Sequence, residues 1–395
     1  MALSAADADA FRARCHEFLA AHSRPGAYRD IDAVKQFQQA LADAGLAGLT
    51  YPVEYGGAGL TNDHERIWRE VAQQYPNMNA ELVISHGMCL PVLNDFGTPE
   101  QKAAFMPDNI SGRTIWCQMF SEPGAGSDVA GLQMRAERDG DSWVLNGQKV
   151  WTTLAHVSDY GIVICRTDPD VSKHAGISMF IVDLTSPGVE IRSIHQIDGG
   201  RHFNEVFFTD VHIPAGNLLG ELNNGWNQAT AMLMYERVAI GSMGSGSISQ
   251  PMYQALLGHA RAQGKLADLV VRDELMQIYA METTKSMLSL RVRAELQAGK
   301  APGPGGSLGK LASSMIAWRF RRVAQAIAGP ASVAWEGEPD GEGGSLNRIV
   351  LNSIQLAIAG GTDEIQRNII GDRVLGLPRE PSVDKGVAFK DLLKN

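Results

Sequence analysis

The chain has 395 residues, of which 44% are hydrophobic and 20% charged, and a formal net charge of −9. That length allows two or three domains with a full core, and the acidic balance argues against nucleic acid or an anionic membrane surface as the main partner. Cys15, Cys89, Cys117 and Cys165 lack metal-ligand spacing, and neither a signal-like apolar core nor a run long enough to span a membrane occurs, which points to a cytoplasmic protein with buried thiols and no metal site.

From Ala5 to about Asn109 the pattern is helical. Phe11, Cys15 and Phe18 share one face, and Val34, Phe37, Leu41 and Ala44 another. Tyr51 to Leu60 breaks that pattern with Pro52, Gly56, Gly57 and Gly59, and Thr61, with His64 and Glu65 close behind it, reads as the N-cap of a new helix.

Between about Ser111 and Leu222 the period changes from 3.6 to 2. Val144, Val150, residues 162–164, 179–182 and 206–208 read as strands, punctuated by the turn signals Asp139-Gly140, Asn146-Gly147 and Pro187-Gly188. Without strand-helix-strand alternation or a G-x-G-x-x-G run, a Rossmann domain is disfavoured. At the head of this region the β-prone run Thr114–Met119 leads into Phe120-Ser121-Glu122-Pro123-Gly124-Ala125-Gly126-Ser127-Asp128. A glycine-rich turn after a strand lets the backbone approach a ligand closely. With the hydroxyls of Ser121 and Ser127 it suits the pyrophosphate and ring edge of a dinucleotide, although an ordinary glycine turn has the same local signature.

Helical periodicity returns at Gly225. It runs through Trp226 to Leu257 and again from Leu266 to about Ala298, where Leu275, Ile278, Met281, Leu288 and Val292 recur and Met276, Met281 and Met287 read as core filler. Gly303-Pro304-Gly305-Gly306 interrupts, a helix from Leu308 to Ala328 follows, and Glu336 to Gly344 reads as a flexible loop. After a helical stretch from Leu346 to Ala359, Gly360-Gly361 precede an N-cap, Thr362, and an acidic first turn, Asp363-Glu364. Beyond Pro381 no functional signal is legible. The fold class is therefore mostly α with a central β domain: a helical domain over residues 1–112, a β domain over 113–222 and a helical domain over 223–395.

The Phe120–Asp128 loop, Leu145-Asn146-Gly147-Gln148-Lys149-Val150-Trp151-Thr152-Thr153, Gly361-Thr362-Asp363-Glu364-Ile365-Gln366-Arg367-Asn368-Ile369-Ile370 and Tyr51–Leu60 together resemble the acyl-CoA dehydrogenase family, from about residue 30 to 380. The resemblance implies an N-terminal helical domain, a middle β-barrel or sandwich and a C-terminal four-helix bundle. It also implies an enzyme that uses FAD to oxidise an acyl-CoA thioester to trans-2-enoyl-CoA and passes electrons to an electron-transfer flavoprotein. The family's flavin loop matches Met119 to Ser127, which includes Ser121 and Gly126. Trp151 and Thr153 match the aromatic and hydroxyl flanking the isoalloxazine. Gln325 and Gly329 match a segment that reaches the FAD of an adjacent subunit, and Thr362 and Glu364 match positions near the cofactor. Where relatives carry Arg-x-x-Phe-Gly at a subunit interface, this chain reads Arg261-Ala262-Gln263-Gly264-Lys265, one residue short and without the Phe. The changed loop is compatible with a homotetramer or with a heterotetramer completed by a related subunit.

The same resemblance places the catalytic base. Many relatives carry a carboxylate directly before the Gly-Thr pair, where this chain has Gly360; a smaller group carries it on an earlier helix, where this chain reads Met234-Tyr235-Glu236-Arg237-Val238. Glu236 is the expected base, with Arg237 orienting or balancing the helix and the small residues Gly241 to Ser247 permitting close helix approach or room for an acyl chain. A structural Glu-Arg pair is the commoner role for such a dipeptide. The backbone N–H of Gly360 is expected to bond the thioester oxygen. Other readings on this scaffold are a flavin oxidase or monooxygenase and a non-catalytic partner subunit. The resemblance to members acting on steroid and other bulky acyl-CoAs implies a related substrate.

Overall fold

The computed structural model describes residues 3–26, 30–241, 250–297, 304–330, 350–382 and 384–392. The chain divides into two units: Met1–His195 with Arg201–Glu236 and Ser382–Asn395, and Gln196–Gly200 with Arg237–Pro381.

The first unit opens with α1 (Ala5–His22), α2 (Ile31–Asp43), α3 (Asn62–Ala72), α4 (Leu90–Phe96) and α5 (Pro99–Ile110). The two apolar faces read from the sequence are buried through Phe11, Cys15, Phe18, Val34, Phe37 and Leu41; Ala44 is the C-cap of α2. Thr61 caps α3, its hydroxyl 2.9 Å from His64 Nδ1. Thr98 and Gln101 cap α5 reciprocally at 3.0 and 3.2 Å. The Gln101 amide also donates to the carbonyls of Gly216 (2.8 Å) and Leu218 (2.9 Å), which ties this helix to the chain leaving the sheet.

The sheet contains β1 (Trp116–Met119), β2 (Arg135–Asp139), β3 (Ser142–Thr153), β4 (Tyr160–Arg166), β5 (Ile177–Asp183), β6 (Val189–Ser193), β7 (Phe203–Pro214) and β8 (Leu218–Leu219). Its order is β6-β7-β3-β2-β4-β5-β8, with β1 parallel to β4. Alternate residues of the strands, among them Met119, Trp143, Leu145, Phe180 and Phe208, fill one core. All four cysteines are free and buried. Asp139-Gly140 joins β2 to β3 as expected. Asn146-Gly147 does not turn the chain: it lies inside β3, at a register shift against β7. The dipeptide is needed there for another reason. A side chain at 147 would lie 2.8–2.9 Å from Met134, while the Asn146 side chain accepts from Asp210 N at 2.9 Å.

A last helix, α6 (Gly225–Gly241), leaves the first unit at Glu236. The second unit holds α7 (Pro251–Ala262), α8 (Leu269–Gln297), α9 (Gly305–Ala328) and α10 (Asp363–Arg373). The stretch read as helical from Trp226 to Leu257 is thus two helices. Pro251 begins the second one, and buried Glu282 accepts from Met252 N (3.1 Å) and Tyr253 N (2.9 Å). Leu256, Leu275, Ile278, Ile316, Phe320 and Val323 form the core, with Met281 packed against it. Met276 and Met287 are exposed instead, because three helical turns separate them on the outer face of α8. From the stretch read as a helix over Leu346–Ala359, Ser353–Ala357 is a 3-10 turn. Ser242–Ser247 and the loop Glu336–Gly344 lie outside the described residues.

Candidate functional site

Strand β1 delivers the chain into the 120–128 loop, whose inner flank is held by a buried ion pair. Lys149, fully buried, donates to Glu122 Oε1 at 2.8 Å and to the Phe120 carbonyl at 3.1 Å. Glu122 also accepts from Gln133 N (2.7 Å) and Met134 N (3.0 Å). Reciprocal backbone bonds between Glu122 and Ala125 close the turn, and Val150 N donates to Ser121 O at 2.9 Å. The Glu122 and Lys149 side chains are thus committed to the inner flank, and Gly124, Gly126 and Ser127 are exposed on the outer one.

Met119 lies in the sheet core beneath the loop. Ser121 is half-buried, and Gly124, Gly126 and Ser127 are exposed. Among the described residues no group bonds the hydroxyls of Ser121, Ser127 or Thr153, and a Cβ on Gly126 would meet nothing within 4 Å. Trp151 stands at the end of β3 with φ 59° and 59% exposure, its ring edge-on to Phe203 at 6.1 Å between centroids. A left-handed backbone is costly for a tryptophan. It turns the indole outward from a strand whose neighbours are buried.

Glu236, half-buried on α6, accepts from the Gln118 amide at 3.4 Å. Gln118 belongs to β1, so this carboxylate is tied to the strand that feeds the loop. The adjacent Tyr235 hydroxyl donates to the Asp95 carboxylate on α4. Burial, then Asp95, pushes the Tyr235 phenol up to about 12; burial also raises Tyr51, with the Glu65 carboxylate adding to it. The Arg237 side chain lies outside the described residues.

In the second unit Thr362 caps α10, accepting from Ile365 N at 3.2 Å. Gly360 (φ 66°) and Gly361 (φ 85°) both need the left-handed region. Buried Gln366 donates to the Gly360 carbonyl at 2.8 Å, and Asp363 accepts from Ser314 Oγ at 2.8 Å and pairs with Lys310 at 3.5 Å. The Gly360 N–H has no hydrogen-bond partner among the described residues. Glu364 is exposed beside Arg367 at 3.5 Å. Gln325 is exposed in the last turn of α9, and Gly329 (φ 57°) caps that helix by donating to the Gln325 carbonyl. Arg261 to Gly264, at the end of α7, are exposed.

The structure therefore brings Met119, Ser121, Gly126, Ser127, Trp151, Thr153 and Glu236 into one unit, and Gln325, Gly329, Gly360, Thr362 and Glu364 into the other. Sequence reasoning missed Gln118 and the Glu122–Lys149 clamp. A lysine between glutamine and valine in a strand was the available signal, since its alternation places it inward.

This chain has the three parts of an acyl-CoA dehydrogenase. The N-terminal domain of that family matches residues 5–113, the middle domain 117–211 and the C-terminal domain 223–375. The protein belongs to the acyl-CoA dehydrogenase family and is an enzyme of that type. It is 37% identical over 376 residues to acyl-CoA dehydrogenase IpdE1 of Mycobacterium tuberculosis, a match covering 92% of this chain and 94% of the relative. Among solved structures it is similar to the steroid ACAD Tcur3481–Tcur3483 (TM-score 0.79, 26% identity, 96% of this chain and 99% of that one). It is also similar to the ChsE4–ChsE5 complex from Mycobacterium tuberculosis (TM-score 0.77, 29% identity, 96% and 100%). Enzymes of the family are FAD-dependent flavoproteins. The residues present fit that group: unbonded hydroxyls, a glycine with open space above it and an outward indole are what a flat ring carrying a pyrophosphate requires. No helix among the described residues is long and apolar enough to cross a membrane.

Proposed function

We propose that this acyl-CoA dehydrogenase introduces a trans double bond between the α and β carbons of an acyl-CoA thioester, with Glu236 as the base. The observation that carries the assignment is the 3.4 Å contact between the Glu236 carboxylate and the amide of Gln118, in the strand that becomes the loop. The Gln118 amide and partial burial hold the carboxylate in place beside the strand that feeds the loop. Glu236 takes the α-proton, and Arg237 orients the helix that carries it. The Gly360 N–H donates to the thioester oxygen and stabilises the enolate as charge moves onto it. The chemistry that FAD would supply, when bound, is acceptance of the β-hydrogen with its electron pair. Ser121, Gly126 and Ser127 would hold the cofactor's pyrophosphate and ring edge, with Met119 supporting them from the core. Trp151 would exclude water, Thr153 would bond the ring edge, and Gln325, Gly329, Thr362 and Glu364 would complete the cofactor site across subunits. Electrons leave to an electron-transfer flavoprotein, and the chain is organised as three domains over residues 1–112, 113–222 and 223–395.

Replacement Glu236→Gln tests this reading. The variant is expected to retain yellow bound FAD and lose turnover by about three orders of magnitude, within the range for removal of a general base. Turnover near that of the unmodified enzyme would remove Glu236 from the role.

A mixed tetramer is favoured by a specific feature. The exposed Arg261–Gly264 turn lacks the Phe that relatives place at the interface, and two similar solved structures pair unlike names, ChsE4–ChsE5 and Tcur3481–Tcur3483. The steroid named for one of these supports a bulky acyl substrate. The intact mass of the chain purified alone and beside a related subunit separates the homotetramer from the heterotetramer. Anaerobic bleaching with straight, branched and steroid acyl-CoAs separates the substrates.

A further inference from the structure

We infer that residues 384–392 act as a latch that positions the outer flank of the 120–132 loop, through a lysine shared by Asp128 and Asp384 and a phenyl ring stacked on Arg166. The inference rests on reading this loop as the cofactor's. The segment lies beyond every motif legible in the sequence, yet it belongs to the same compact unit as the sheet.

Its backbone is docked on the connection between β4 and β5. Phe389 N donates to Val171 O at 2.8 Å and Lys390 N to Pro169 O at 3.0 Å, while Ala388 bridges Ser172. Two side-chain contacts then reach through that connection to the loop. Lys173 Nζ lies 2.6 Å from Asp384 and 2.8 Å from Asp128, the residue after Ser127. The Arg166 guanidinium lies 3.7 Å from the centroid of Phe389. It donates at 2.6 Å to the carbonyl of Ala130 and, through its other terminal nitrogen, at 2.6 Å to that of Lys173.

Arg166 is 4% exposed and forms no ion pair with the described residues; its Nε has no partner. A buried guanidinium whose hydrogen bonds all go to carbonyls, with Glu122, Asp128 and Asp168 acting on it only at longer range, needs something to exclude water from its open face, and an aromatic ring does so while contributing its own attraction. Phe389, 8% exposed, is that ring. Glu122 and Lys149 fix residues 120–122 and 133–134 from inside, so the stretch between them, carrying Gly126 and Ser127, is held at Asp128 and Ala130 by groups the latch completes.

Lys173, Arg166, Asp384 and Phe389 are accordingly positioning residues. Hydrogen exchange of amides 123–132 and the rate of FAD release, both measured on the full-length protein, test the assignment. Asp384→Ala and Phe389→Leu are each expected to speed exchange of these amides and FAD release by about fivefold, with exchange in α1–α5 unchanged. Asp384→Glu and Phe389→Trp are expected to restore both, because they keep the charge and the ring. Unchanged loop exchange in both disruptive variants, or loss that the conservative variants do not restore, would overturn the latch. If the unmodified protein holds no FAD while loop exchange still responds, the latch stands and the cofactor reading fails.

Discussion

Replacing Lys149 by methionine isolates the clamp on which the loop geometry depends. The substitution keeps most of the volume of a fully buried side chain and removes one charge. It leaves Glu122, 8% exposed, without its cation and leaves the Phe120 carbonyl without a donor. Removing one member of a buried ion pair costs about 3–5 kcal/mol, more than either hydrogen bond contributes, because the remaining carboxylate stays desolvated without its paired ammonium. At roughly 2–4 °C per kcal/mol for a cooperative unit of this size, the melting temperature is expected to fall by on the order of 10 °C. Adding Glu122→Gln should recover about half of that loss. Gln133 N and Met134 N bond different oxygens of Glu122, at 2.7 and 3.0 Å, so a neutral amide keeps its oxygen as the acceptor for one of them and turns its NH2 toward the other, which limits the recovery. Thermal unfolding of the single and double variants, followed by circular dichroism and by flavin fluorescence, measures both effects. A single variant within about 1 kcal/mol of the unmodified protein, or a double variant less stable than the single, would refute the reasoning.

Two glycines give opposite expectations. Gly361→Ala forces φ 85° on a residue with a side chain and brings its Cβ 2.7 Å from Gln366 Nε2, which should destabilise by about 1–3 kcal/mol in urea unfolding. Gly126→Ala meets nothing within 4 Å, so stability should hold within about 0.5 kcal/mol while titration shows weaker FAD binding. Gln118→Leu removes the amide donor to Glu236 and is expected to lower kcat about tenfold, with no further loss when added to Glu236→Gln; additive losses would separate the two residues. His86, 2.8 Å from the Asn109 carbonyl, has its pKa lowered by burial. The unfolded chain therefore binds the proton first, and the His86 contribution to stability falls as pH drops below about 6.5; urea midpoints at pH 5 and 7 should differ less in His86→Gln.

Much of the molecule is legible because it is local. The apolar faces of α1 and α2 repeat every three or four residues, the strands alternate, and Thr362 with its acidic neighbours marks the start of α10 whatever the rest of the chain does. The loop at 120–128 and the indole at 151 are likewise recognisable from their own residues and order. Local signals also mislead where tertiary packing overrides them. Asn146-Gly147 sits inside β3 because Met134 leaves no room for a side chain at 147, and Met276 and Met287 face outward although a run of methionines beside a core stripe reads as filler.

By itself, then, the amino-acid order determined the mostly helical architecture, its central β region, the glycine-rich loop and the membership of the family. Only the folded chain decided what holds the loop: Lys149 on Glu122 across 27 positions, Gln118 on Glu236 across 118, and Lys173 on Asp384 across 211. The physical reason is that a lone lysine, glutamine or aspartate reads as a solvated surface residue until a partner replaces its water. Periodicity and capping are properties of neighbours in sequence, whereas the charge that makes a buried polar group stable comes from a distant segment that folding brings alongside.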